Sequence, residues 1–114
     1  MKNGIERRRH IRAPLALPVV LKTPQGTVKG RTANISISGL ALILLLESPE
    51  VDGEFEIIIK LSEEDALPVT CKKVWSGTMV ADESVYEAIG VQFTKISSGD
   101  RKILASMVSE YYLV

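Results

Sequence analysis

The sequence has little of what enzymes and metal sites are built from. Cys71 is its only cysteine and His10 its only histidine. A lone cysteine excludes a disulfide within the chain and fits a reducing compartment. One cysteine and one histidine cannot make a zinc site by themselves. A hydrolytic triad needs a nucleophile, a base and an orienting group. The single imidazole lies in a polar stretch among arginines, and Cys71 has no histidine near it in sequence. Glu63, Glu64 and Asp65 are adjacent, but three consecutive acids read better as a solvated loop than as a metal site. No glycine-rich phosphate loop opens a helix. The expectation is a protein that is not an enzyme and carries no metal and no cofactor.

Long hydrophobic runs are missing too. The longest, residues 40–46, is seven residues, against about 20 for a membrane-spanning helix. Residues 1–10 lack the apolar stretch of a secretory signal. The expected location is the cytoplasm, without membrane insertion. Aromatics are few, with two Phe, three Tyr and one Trp. Binders of single-stranded nucleic acid stack bases on exposed aromatics over a basic face. Phe55 and Phe93 fall instead on predicted core faces, so no nucleic-acid polymer is expected as a partner.

What is present is unevenly placed. Basic and acidic residues balance at 14 each, yet residues 1–12 hold five basic residues against Glu6 alone. A basic tip on a slightly acidic body suggests a local anion site. Residues 1–13 have no apolar period and read as a flexible basic arm. From residue 14 to 114 the pattern is that of one folded unit. Short strand-like runs near 19–22, 27–36, 40–45, 55–61, 68–75 and 86–94 alternate with turn signals. Residues 77–85 read as a polar connection. Ser97 and Asp100 resemble a capping box. Ile103, Leu104, Met107, Val108 and Tyr111 then follow at helical spacing, which predicts an amphipathic helix from about 99 to 112. Six short strands suggest a small antiparallel barrel or sandwich.

Two motifs carry chemistry. The first is Glu6-Arg7-Arg8-Arg9-His10-Ile11-Arg12, in which Arg8 and Arg12 form RxxxR. Guanidinium groups match phosphates and the O6/N7 edge of guanine, since both accept paired hydrogen bonds in one plane. Alone, the stretch also fits a solvated basic tail. The second is Asn34-Ile35-Ser36-Ile37-Ser38-Gly39, of the form [D/N]xSxxG. Asn34 and Ser36 both donate and accept, and Gly39 permits positive φ and close approach of a ligand. Alone, this too fits an ordinary turn between strands.

Taken in order, these motifs resemble the PilZ family. The Val74-Trp75 pair and Gly90-Val91-Gln92-Phe93 before a terminal helix add to the resemblance, which spans about residues 6 to 112. It implies an all-β domain with a C-terminal helix, a six-stranded antiparallel PilZ-type barrel of the split-barrel kind. It also implies a ligand, the bacterial second messenger cyclic di-GMP. Arg8 and Arg12 would grip guanine edges and phosphates. Asn34, Ser36 and Gly39 would line the barrel-side face. Arg7, just before RxxxR, implies two stacked ligand molecules per chain, and Arg9 either assists with a phosphate or is solvated. The expected output is closure of the arm, which changes a surface for an unidentified downstream protein in motility or biofilm regulation. The alternative is a PilZ-fold interaction adaptor that does not bind the nucleotide.

Overall fold

The structure is a computed structural model that describes residues 12–45 and 51–111. Six strands and one helix follow in order: β1 Pro18–Thr23, β2 Gly26–Ile35, β3 Gly39–Leu44, β4 Glu54–Lys60, β5 Ala66–Ala81, β6 Ser84–Lys95 and α1 Ser98–Tyr111. All neighbouring strands are antiparallel. Their order, β1-β2-β3-β6-β5-β4, closes on itself through β1 and β4. Closure leaves no free edge around the ring where all six strands pair, and it settles the choice between barrel and sandwich.

The period-two patterns set which side chains face inwards. Val19 and Leu21 of β1, Leu40, Leu42 and Leu44 of β3, and Ile57 and Ile59 of β4 meet in one buried cluster. β3 is buried along its whole length, so its outward-facing Ala41 and Ile43 are covered as well.

Three register shifts interrupt the ladders, and two of them shape the outer face. In β2, Thr32 faces Leu42 and Asn34 faces Ala41, which makes Ala33 an extra, bulged residue. Thr32 stays buried, and Asn34 is turned outwards. In β5, Lys73 faces Val91 and Trp75 faces Gly90, so Val74 is a second bulge.

The connection expected over residues 77–85 is instead part of a long hairpin. β5 runs to Ala81 and β6 begins at Ser84. The two-residue turn, Asp82 and Glu83, has φ of 52° and 64°. Such a mirror-image turn matches the twist of paired strands and usually announces itself with glycine. None is present here, and the hairpin escaped the sequence pattern for that reason. The tip returns towards β2, where Asp82 pairs with Arg31 at 2.6 Å.

The helix begins as its cap predicts, with Asp100 N donating to Ser97 Oγ at 3.1 Å. Leu104 is fully buried in the barrel core, and Val108 is buried beside it. Burying one such side chain contributes about 1.5–3 kcal/mol. The predicted apolar stripe is only partly used, since Ile103 and Tyr111 are exposed. Among the described residues no helix is long and apolar enough to cross a membrane.

Candidate ligand-binding site

Hydrogen bonding to the barrel begins before β1. Ala13 N donates to Ile35 O and Ile35 N to Ala13 O, both at 2.8 Å. Leu17 N donates to Thr32 Oγ1 at 2.8 Å, and the same hydroxyl donates to Leu15 O. The buried threonine thus laces residues 13–17 along β2. Arg12, next to that bridge, reaches the outer face of the barrel. Its Nη1 donates to Asn34 Oδ1 at 3.0 Å. The structure therefore brings together one residue of each predicted motif. Arg7, Arg8 and Arg9 lie outside the described residues.

Ser36 is fully buried, and its hydroxyl is engaged within the turn between β2 and β3. Ser38 N and Gly39 N donate to Ser36 Oγ at 3.1 and 3.2 Å, and Oγ donates to Gly39 O at 3.2 Å. Phe93 N donates to Ser38 O at 2.8 Å and ties the turn to β6. Gly39 does not have positive φ. A Cβ there would collide with the carbonyl oxygen of Val91, so this glycine lets β3 approach β6. In the described geometry the motif thus divides. Asn34 faces outwards, while Ser36 and Gly39 set the shape of the turn that presents it.

The register defines a shelf on the outer face. Asn34 faces Ala41, Ala41 faces Gly90, and Gly90 faces Trp75. Four strands at about 4.8 Å spacing make a row of roughly 14 Å. Its middle, Ala41 and Gly90, carries almost no side chain of its own, and both residues are buried. The Trp75 indole lies directly on Gly90, where any Cβ would strike the ring. Trp75 stays partly exposed, so it forms one end of the shelf and Arg12 with Asn34 forms the other. Arg31, one row away and paired across β3, flanks it. The sequence motifs include Trp75 and Gly90 without giving either a place in the site, and nothing in them points to Ala41 or Arg31. Small residues gain meaning only when the register sets them side by side.

Cys71 is fully buried in the core. Burial pushes its thiol up to about 12, with a smaller contribution from the nearby charge of Glu54. That leaves it neutral and unreactive, in keeping with its position in a strand.

Comparison with known proteins agrees with this architecture. The chain is similar to the Bacillus subtilis inhibitor of motility MotI/DgrA, with a TM-score of 0.76 and 22% identity over 94% of this chain and 52% of that one. It is similar to the Escherichia coli YcgR PilZ domain solved with c-di-GMP, with a TM-score of 0.74 and 17% identity over 92% and 91% of the two chains. It also resembles K. pneumonia MrkH in its c-di-GMP complex, at a TM-score of 0.79 and 18% identity, covering 94% and 53%. The chain thus spans about half the length of MotI/DgrA and MrkH. A sequence comparison with curated proteins found no match. The profile of the PilZ domain matches residues 6–110. With nearly the whole chain matched and a closed six-stranded barrel ending in one helix, the chain belongs to the PilZ domain family.

Proposed function

We propose that this chain is a cyclic di-GMP receptor rather than an enzyme, and that it binds its ligand on the outer shelf of the barrel. The observation that carries the reading is the bond from Arg12 to Asn34, which joins the arm to the shelf across 22 residues. Two similar proteins, YcgR and MrkH, were solved with c-di-GMP, which supports the choice of ligand. In this reading Arg12 and Arg8 take guanine edges and phosphates, Asn34 takes a guanine, and Trp75 offers its face to a base. Ser36 and Gly39 act by holding the turn. Arg7 brings in a second ligand molecule, and Arg9 lies at the edge of the phosphate site.

Ligand binding closes the arm over the shelf. Fixing a residue's backbone costs about 1–2 kcal/mol. Arg12 and Ala13 are already hydrogen-bonded, so that cost is met before the ligand arrives. Arg8 is four residues upstream, a reach of about 13–14 Å at full extension. That matches the width of the shelf, so one arginine can serve each end. The closed arm then presents an altered surface to a downstream protein in the cytoplasm.

Calorimetric titration with cyclic di-GMP tests this, with GTP and the Arg8→Ala, Arg12→Ala double variant as controls. Saturable binding of cyclic di-GMP alone, lost in the variant, is expected. A stoichiometry of two supports the role given to Arg7, and one removes it. No binding at about 100 μM ligand, weaker than ordinary specific recognition, would replace this reading with that of an adaptor that does not use the nucleotide.

A further inference from the structure

β5 outruns its neighbour on one side. Its pairing with β4 ends at Glu54 opposite Lys72, whereas its pairing with β6 continues to Ala81 opposite Ser84. Among the described residues, no strand pairs with the other side of residues 74–81. An open edge of this kind is a template for another strand.

The turn decides which groups it offers. Beside a two-residue loop, the flanking residues exchange both hydrogen bonds. Ala81, Met79 and Gly77 therefore direct their N–H and C=O groups to β6, and Val80, Thr78 and Ser76 direct theirs away from it. Proteins blunt such edges with lysine, proline or charge. Residues 74–80, Val-Trp-Ser-Gly-Thr-Met-Val, carry none of these. Val74 is 54% exposed and Val80 is 75% exposed.

We propose that this edge pairs antiparallel with the same edge of a second copy of the chain, about a two-fold axis through Gly77. The segment is self-complementary around that residue. Val74 of one copy meets Val80 of the other, Trp75 meets Met79, and Ser76 meets Thr78. Ser76 and Thr78 are the residues whose backbone groups face outwards, so they exchange hydrogen bonds. The residue on the axis has no side chain. Ala81 of one copy faces the exposed Lys73 of the other, the first β5 residue beyond its pairing with β4, so the acidic turn of each hairpin comes to the edge of a lysine. Sliding the register by two residues sets Val80 against Lys72 or Ser76. A slip of one breaks the alternation of hydrogen bonds. The result is an isologous interface that needs neither the ligand nor the arm.

The test is sedimentation equilibrium of the full chain from about 10 μM to 1 mM, a range suited to a weak pair. The average mass should rise from one chain towards two. Thr78→Pro removes an outward donor and leaves the bonds to β6 in place. It takes two hydrogen bonds from each dimer, so dissociation should strengthen by about 10–30-fold. Gly77→Cys supplies an independent readout, because a Cβ at that position meets nothing within 4 Å. On the axis the two Cα atoms stand about 4.5 Å apart, within disulfide range. Gentle oxidation should join two Gly77→Cys chains and leave Thr78→Cys, one residue off the axis, largely unlinked. A single chain at every concentration, with equal linking of the two cysteine variants, overturns the proposal. So does a chain that stays single and takes an unrelated extended peptide on this edge.

Discussion

Arg12 and Asn34 are 22 residues apart in the chain and joined by a 3.0 Å hydrogen bond on the outer face of the barrel. The bond fixes the guanidinium at the Asn34 end of the shelf. Arg12→Ala should weaken cyclic di-GMP binding by about 10–100-fold, the range of one bidentate contact. Asn34→Ala should cost about tenfold through loss of a neutral hydrogen bond. Because the two residues share that bond, the double variant should lose less than the sum of the single effects. Calorimetry on the four proteins checks this.

Trp75 is the only tryptophan in the chain, and it lies against Gly90. At concentrations where the chain is single, intrinsic fluorescence therefore reports on the shelf. Titration with cyclic di-GMP should change the emission of the wild-type protein. Gly90→Val must push the indole aside, at about 1–3 kcal/mol for overpacking. Its emission should be altered before ligand is added, and its response to ligand should be largely lost.

Ser36 separates stability from recognition. Its buried hydroxyl accepts from two backbone N–H groups, and leaving such groups unpaired costs about 1–3 kcal/mol. Ser36→Ala should lower the midpoint of thermal unfolding. At a temperature where the variant is folded, its affinity for cyclic di-GMP should fall far less than that of Arg12→Ala. An affinity loss equal to that of Arg12→Ala, without a change in midpoint, would reverse the assignment and make Ser36 a ligand contact.

Cys71 predicts a dependence on pH. Burial, and then the charge of Glu54, raises its thiol from the ordinary 9.0 to about 12. Between those values the folded chain keeps a proton that the unfolded chain has lost. Stability should therefore fall as pH rises from about 9 towards 12, by up to about 1.4 kcal/mol per pH unit. Below pH 9 the thiol contributes no slope. Urea unfolding of the wild type and Cys71→Val across this range should differ by that slope. Thiol reagents should modify Cys71 only after unfolding.

The strands were legible in the sequence where they alternate, but alternation left barrel and sandwich open, and the barrel came from the family resemblance. Phe55, Ile57 and Ile59 announce β4, and all three are buried. The site was legible only in part. Asn34 could be named from its motif, but strict alternation from Thr32 would have turned it into the core. Its outward direction depends on the bulge at Ala33, and an alanine gives no local sign of one. The hairpin tip was missed for a similar reason, because Asp82 and Glu83 adopt a backbone that glycine or asparagine usually marks. In Ile103 and Tyr111 the helical period was right, but the barrel end is covered by Leu104 and Val108.

The bulge at Ala33 makes β2 one residue longer than its ladder needs. Thr32 faces Leu42 and Asn34 faces Ala41, neighbouring positions on β3. Deleting Ala33 would therefore make them ordinary strand neighbours, with Thr32 still inward and Asn34 still outward. What would be lost is the local bend and extra twist that a bulge gives its strand. Ala33 thus governs the tilt at which Asn34 is offered to Arg12, and an in-frame loss of its codon should change that tilt while leaving the ladder intact.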